Sequence, residues 1–305
     1  MKYIPFIFII FIIACEQVVD IEVPEHKSQL VLSSYYYAGD TKITANLTKS
    51  LAISNNDPID RIWGATIKLY ENDVLLGQFG EAEDTTYYQA HTGEWDSLGN
   101  PITETQINAI RRLYKLDLAT PLQTDKTYKI TAEATDYESV SAVQHLSSNI
   151  KTNGDIIYNP MSRPGLEGYS MDALEIQIED NPDEDNYYEF IVYKSYYGNW
   201  YNDWLESYTL GIEQGVDGTL LLKDDLFEGS TYNVELLMWP DDPSETDIRL
   251  QIKSISRDKF LFTKSLRAYD DAYYNPFAEP VIIHTNVENG QGIFSMENKT
   301  EVLIE

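Results

Sequence analysis

The chain has 305 residues, enough to bury a core in one large or two medium domains. Its 50 acidic side chains outnumber 22 basic ones, giving a formal charge of -28. A surface of that sign repels phosphate backbones, which excludes nucleic acid as an expected partner; it also repels anionic lipid, so basic residues cannot hold the body at a membrane.

Met1-Lys2 forms a short positive start, and Ile4 to Ile13 is an apolar run interrupted only by Pro5. The run is about half of the roughly 20 residues that a spanning helix needs, so residues 1–14 read as a secretory signal peptide. It ends in Ile12-Ile13-Ala14-Cys15, which resembles the lipobox of bacterial lipoproteins. Cys15 is the only cysteine, so it has no disulfide partner within the chain, and a free thiol is out of place in an oxidising compartment. Acylation of Cys15 accounts for both facts, and several acyl chains anchor stably where one is marginal. Residues 15–27 then read as a lipidated tether.

Beyond the tether the composition is that of a sheet. Tyrosine occurs 23 times, and Val, Ile and Thr recur in short alternating runs. Gln29 to Tyr35, Lys42 to Thr48, Ala65 to Tyr70 and Val74 to Phe79 alternate, with a turn at Glu71-Asn72-Asp73. Turn signals every 8 to 12 residues or so point to β-sandwich architecture. Glu81 to Ile110 breaks the pattern and carries Gly93 and Gly99, so it reads as a long loop or insertion. Thr103 to Tyr114 suits a short helix, and Leu113 to Leu118 equally suits a strand. An internal echo follows. Leu122, Thr127-Tyr128 and Ile130 are matched by Leu226, Thr231-Tyr232 and Val234. The pattern resembles the tyrosine corner of immunoglobulin-like or fibronectin-III-like sandwiches, and the two tyrosines stand about one such domain (~100 residues) apart. The expected fold is therefore mainly β: two tandem sandwiches, residues 28–150 and 173–305, joined by a Gly- and Pro-containing linker over 151–172.

In the second half, strands are expected at Ala173 to Ile178, Tyr187 to Tyr193, Gly218 to Leu222 and Arg249 to Ile252. Phe262, Leu266, Tyr269 and Tyr273 fall on one helical face, predicting a helix over about 256–274. Ser256 and Asp258 suit its start and Asn275-Pro276 its stop. Pro280 to His284 reads as a final strand.

Few residues carry a chemical signature. His26, His91, His145 and His284 stand apart from one another, and no H-E-x-x-H pair, G-x-S-x-G elbow or phosphate loop occurs. The chain therefore reads as no enzyme. Asp180, Asp183 and Asp185 alternate as calcium ligands do, without the central Gly or full spacing of an EF-hand loop; the alternative is a solvated turn set by Asn181-Pro182. No other cofactor is expected beyond the lipid on Cys15. Tyr196, Tyr197, Trp200, Tyr201 and Trp204 crowd one segment with Gly and Asn between them. Exposed, such rings suit a sugar or a protein partner; buried, they belong to the core.

Several segments together resemble a known family. They are Cys15 to Ile21, the runs at Leu30-Val31-Leu32 and Gly64 to Glu71, and above all Asn275 to Pro280 followed by Asn286 to Phe294. These are similar to the domain-of-unknown-function family 4249 (DUF4249), lipoproteins of the Bacteroidetes; residues 81–110 carry none of the likeness. The family has no assigned activity, so no catalytic residue is carried over. The resemblance implies an outer-membrane, lipid-anchored location at the cell surface, to which Asp20 and Glu22 after Cys15 conform. It also implies a non-catalytic accessory to a TonB-dependent β-barrel receptor. Direct binding of glycan or another nutrient through Tyr196 to Trp204, or a structural role in envelope assembly, are the alternatives.

Overall fold

A computed structural model describes residues 26–52, 61–95, 101–148, 150–164, 169–182, 184–196, 199–227, 229–240, 247–273, 275 and 277–304. The expected signal peptide, Cys15 and most of the tether lie outside the described residues. The fold is mainly β, with several antiparallel sheets and one helix near the C-terminus.

Strands β1 (Leu30–Tyr37), β2 (Lys42–Lys49) and β3 (Thr66–Glu71) form where alternation predicts them. Leu30, Leu32 and Tyr36, Ile43, Ala45 and Leu47, and Ile67 and Leu69 turn inward. Asn72 (φ 44) and Asp73 (φ 66) make a two-residue turn of the kind whose twist suits a hairpin, leading into β4 (Val74–Gln78).

The expected loop at 81–110 is instead a long hairpin, β5 (Gly80–Trp95) with β6 (Pro101–Asp117). The helical alternative for Thr103 to Tyr114 is overturned. The reason is physical. Only Tyr114 to Asp117 of β6 pairs with β2, so most of the hairpin is a two-stranded ribbon. A run that pairs with a single neighbouring strand needs no core-facing alternation in its sequence.

β7 (Lys126–Glu133) and β8 (Val140–Leu146) complete a four-stranded sheet, β4-β3-β7-β8. Tyr128 forms the corner read from sequence: its hydroxyl accepts from the Gln123 N–H at 2.8 Å and lies 2.9 Å from Glu71 Oε2.

The Gly- and Pro-containing segment after residue 150 is also largely sheet. It contains β9 (Lys151–Thr152) and β10 (Ile157–Pro164), which pair in turn along one edge of β11 (Ser170–Glu179). Pro160 and Pro164 are tolerated because β10 is an edge strand with a register shift between Asn159 and Arg163. β12 (Tyr187–Tyr196), β13 (Asn199–Asn202), β14 (Ile212–Gln214), β15 (Leu220–Lys223), β16 (Thr231–Met238) and β17 (Asp247–Ile255) follow. Tyr232, the echo of Tyr128, does not repeat the local corner. Its ring stacks on Phe227 with centroids 4.3 Å apart, and its hydroxyl donates to the Leu210 carbonyl.

Helix α1 (Arg257–Tyr273) matches its predicted extent, and the Ser256 hydroxyl caps the Lys259 N–H at 3.2 Å. Its buried residues, however, are Lys259, Phe260 and Thr263. Of the predicted apolar stripe, Phe262 and Leu266 are half-buried, while Tyr269 (44%) and Tyr273 (74%) are exposed. Pro280 to His284 is not a strand; the His284 N–H bonds to Ser265 of the helix instead of to a sheet.

The last strand, β18 (Gln291–Ile304), organises the whole molecule. Its first half runs parallel to β1, from Val31↔Gln291 to Tyr37↔Glu297. Its second half runs antiparallel to β17, from Ser254↔Asn298 to Ile248↔Ile304. One continuous sheet results, in the order β14-β15-β12-β17-β18-β1-β2-β6-β5, with β13 attached to β12. The sheet β4-β3-β7-β8 encloses one core against its β1 side, where Phe294 and Met296 of β18 are buried. The sheet β10-β11-β16 encloses a second core against its β12 side. The two halves are thus stitched by a strand that belongs to both.

Candidate functional site

The aromatic segment turns back from β12 into β13, with Lys194 opposite Tyr201, Ser195 opposite Trp200 and Tyr196 opposite Asn199. Sheet alternation then places Tyr196 and Tyr201 on one face, their rings 6.1 Å apart, and Trp200 on the other. The hairpin is fixed at its base. Buried Lys194 pairs with Asp203 at 2.8 Å and bonds to the Trp239 carbonyl, while Leu205 enters the second core. Gly218 (φ 77) lets the chain pass beneath, because a Cβ there would stand 2.7 Å from the Trp204 Cα.

None of the four described rings is buried: Tyr196 is 37% exposed, Trp200 36%, Tyr201 55% and Trp204 42%. Tyr197 lies outside the described residues. On the helix side, the Arg249 guanidinium lies 4.0 Å from the Trp200 ring centroid. Arg267 lies 5.4 Å from that of Trp204 and is itself held by Asp271 at 3.0 Å. Rings held open by guanidinium groups are already ordered for contact, which lowers the entropic cost of binding.

β18 relates this hairpin to the start of the body. Its first residue, Gln291, reaches Gln29 just before β1, and Leu303 near its end pairs with Arg249. Fourteen residues at a strand rise of about 3.3 Å put the aromatic hairpin roughly 40 Å from the point where the tether enters.

Asp180 is buried, and its carboxylate takes the Gly229 N–H at 2.7 Å and the Asn186 side chain at 3.2 Å. Asp185 is exposed and Asp183 lies outside the described residues. Among the described residues no group of three His, Cys, Asp or Glu side chains could hold a metal.

His26 approaches Ser50 at 3.2 Å, and the side chain of His91 is outside the described residues. His145 lines a cleft of about 220 Å³ with Glu184, Asp185 and Arg257. His284 pairs with Asp258 at 2.9 Å, and Gln144 donates to the other oxygen of that carboxylate at 2.6 Å. This trio ties the segment after α1 to the helix start and to β8. The nearby Ser265 hydroxyl donates to the Phe262 carbonyl and takes the His284 backbone N–H, so it is not activated by the imidazole.

One cluster has no counterpart in the sequence reading. Under α1, Lys253 of β17 lies 3.1 Å from Glu189 of β12 and 3.4 Å from Glu297 of β18, all three buried. Residues so far apart, at alternate positions of separate strands, read as ordinary solvent-facing positions. Burial opposes the Lys253 charge, but Glu297 and Glu189 outweigh it and hold the ammonium above the usual lysine range. Burial, with Glu297 next, pushes the hydroxyls of Tyr35 and Tyr37 up to about 12. Tyr35 keeps 41% of its surface in water, so Tyr37 carries more of the effect. Groups whose pKa rises on folding stabilise the fold below their unfolded value, and that stability is lost as pH climbs through the folded value. Stability is therefore expected to hold to about pH 10 and to fall between about pH 10 and 12. Circular dichroism during an alkaline titration checks this, and an unchanged signal through pH 12 would contradict it.

A family described as "Domain of unknown function (DUF4249)" matches residues 16–302. The chain belongs to this family. A comparison with curated proteins finds no match. The DUF4249 match takes in both cores, α1 and almost all of β18. Within the segments that carried the resemblance, the structure separates two roles. The Asn286 amide donates to the Phe294 carbonyl at 2.8 Å and accepts the Phe294 N–H at 2.9 Å, standing in for a strand partner. Gly290 and Gly292 admit β18 against the Leu30 and Leu32 carbonyls. That part is structural. By contrast, Phe277 in the Asn275 to Pro280 run is 93% exposed and nearby Ile282 90%, so their apolar surface contributes nothing to either core.

Proposed function

We propose that this DUF4249 protein is a lipid-anchored, non-catalytic accessory of an outer-membrane TonB-dependent receptor, standing at the cell surface. In this reading the aromatic hairpin is where it meets that partner. The observation that carries it is the placement of Trp200 and Trp204: exposed, backed by Arg249 and Arg267, and roughly 40 Å along the sheet from the entry of the tether. A recognition surface on an anchored protein is useful at its free end, and Trp and Arg are among the residue types enriched at the hot spots of protein interfaces. The lipobox at Cys15 supports the anchor, and the family resemblance supports the receptor.

The test is capture of the full-length lipoprotein from its own membranes in detergent, with partners identified by mass spectrometry. Wild-type protein is expected to retain a stoichiometric barrel receptor. The Trp200→Ala, Trp204→Ala double variant should keep its circular dichroism spectrum but lose at least about 2 kcal/mol of binding, releasing the barrel on washing. A double variant that holds the barrel as tightly as wild type would move the interface elsewhere. Wild-type lipoprotein recovered alone, under conditions that preserve other membrane complexes, would end the accessory reading.

A further inference from the structure

On the opposite side of the same half, the outer face of the sheet β10-β11-β16 carries a groove of about 480 Å³. That volume falls within the range of small-molecule sites. Its floor is two rungs of antiparallel register, Glu175↔Glu235 and Gln177↔Asn233. These side chains point away from the core, because Leu174, Ile176, Val234 and Leu236 between them are buried in it. The turn from Asn153 to Asp155 and the side chain of Ile157 contribute one wall, and Arg163 the other.

We infer that this groove binds a neutral saccharide. Three features carry the inference. First, Glu175 and Glu235 face each other directly, a like-charge pairing that weakens a sheet. Arg163 offsets it, with Nε 2.6 Å from Glu235 and Nη2 3.4 Å from Glu175. Packing alone has no need of such a rung, since an apolar or mixed pair would require no offset. Second, the contacts to both carboxylates among the described residues fall on Oε1, including the Asn159 side chain on Glu175 at 3.0 Å. The Oε2 oxygens are left as acceptors. Third, the next rung, Gln177 and Asn233, is exposed and brings amide donors as well as acceptors.

The charge and the donor set together select the ligand. With Asp155, three carboxylates stand against one guanidinium, so an anion is repelled. An ammonium has donors only, and would leave the amide and guanidinium N–H groups unmatched. Hydroxyl groups donate and accept at once, and a sugar ring presents several of them on a small frame.

Isotope-labelled protein is titrated with maltohexaose, xylohexaose, mannohexaose and cellohexaose, following the side-chain amide resonances of Gln177 and Asn233. At least one saccharide is expected to shift both in a saturable manner, with a Kd of about 1 mM or tighter. The Gln177→Ala, Asn233→Ala variant, altered only at exposed positions, should fold as wild type and bind at least tenfold more weakly. The Trp200→Ala, Trp204→Ala variant should keep the affinity, so the groove stands or falls separately from the receptor interface. No saturable shift with any of these sugars overturns the inference. So does undiminished affinity in the amide variant, or loss of affinity in the tryptophan variant. Spermine binding with the same dependence on Gln177 and Asn233 would make this a cation site and overturn it as well.

Discussion

Lys253→Ala is expected to cost about 3–5 kcal/mol of stability, because it leaves Glu189 and Glu297 buried without their shared counter-charge. At an effective dielectric of about 20, each contact contributes a gross attraction of roughly 5 kcal/mol. That gain is largely cancelled by the several kcal/mol needed to strip water from each ion, so the intact trio adds little net stability. Breaking it is a different matter, since the desolvation cost stays and the attraction goes. The other ammonium groups nearby, of Lys259 and Lys299, lie over the rings of Tyr35 and Tyr37. Urea denaturation measures the loss. Replacing all three charges together, as Lys253→Met, Glu189→Leu and Glu297→Leu, should recover most of it. A Lys253→Ala protein within about 1 kcal/mol of wild type would show that the carboxylates find other compensation.

The position of this trio makes its loss more than local. Glu297 is the last residue of β18 paired with β1, and Asn298 is the first paired with β17. The ion trio therefore sits where the strand changes partner and passes from one core to the other. Lys253→Ala should raise amide exchange most in the middle of β18, not at its ends.

Sequence and structure agree where a segment meets a core alone, and part where two distant segments must meet. Leu30, Leu32 and Tyr36, like Ile43, Ala45 and Leu47, announce their strands because each faces one apolar layer. The helix ends are legible in Ser256 and Asn275, since capping is a local matter. The ribbon of β5 and β6 is not legible, because only Tyr114 to Asp117 join it to β2 and a two-stranded pairing imposes no alternation on the sequence. The parallel pairing of β1 with β18 joins residues from opposite ends of the chain and has no local signature at all. The same holds for Glu189, Lys253 and Glu297, whose alternation looks like a wet strand face until α1 is laid over them. The aromatic segment stands out by composition. The exposure of its described rings follows from Leu205, just beyond them, entering the core in their place, a choice that composition does not reveal. The groove over β11 and β16 depends on Arg163 crossing from a strand whose prolines read as linker.

Gly292→Ala is expected to be the most disruptive small substitution in the body. Gly292 has φ +112, a conformation that side chains with a Cβ rarely adopt, and a Cβ there would stand 2.0 Å from the Leu32 carbonyl oxygen. That oxygen belongs to β1, and the Leu32 side chain is fully buried, so the neighbour cannot swing aside. Backbone strain of about 1–3 kcal/mol and overpacking of a similar size add to roughly 2–6 kcal/mol. Relief would require β18 to move away from β1. Because the same strand pairs with β17 further on, such a shift cannot be confined to the first core. The parallel pairing would loosen first, and the second core would lose the register of its shared strand. Chemical denaturation should therefore show a lower midpoint, with both cores melting together, read out by Trp63 in the first half and Trp239 in the second. A variant in which only Trp63 reports a change would mean that β18 holds the second core without help from the first. A midpoint equal to that of wild type would mean that β1 yields by more than its burial allows.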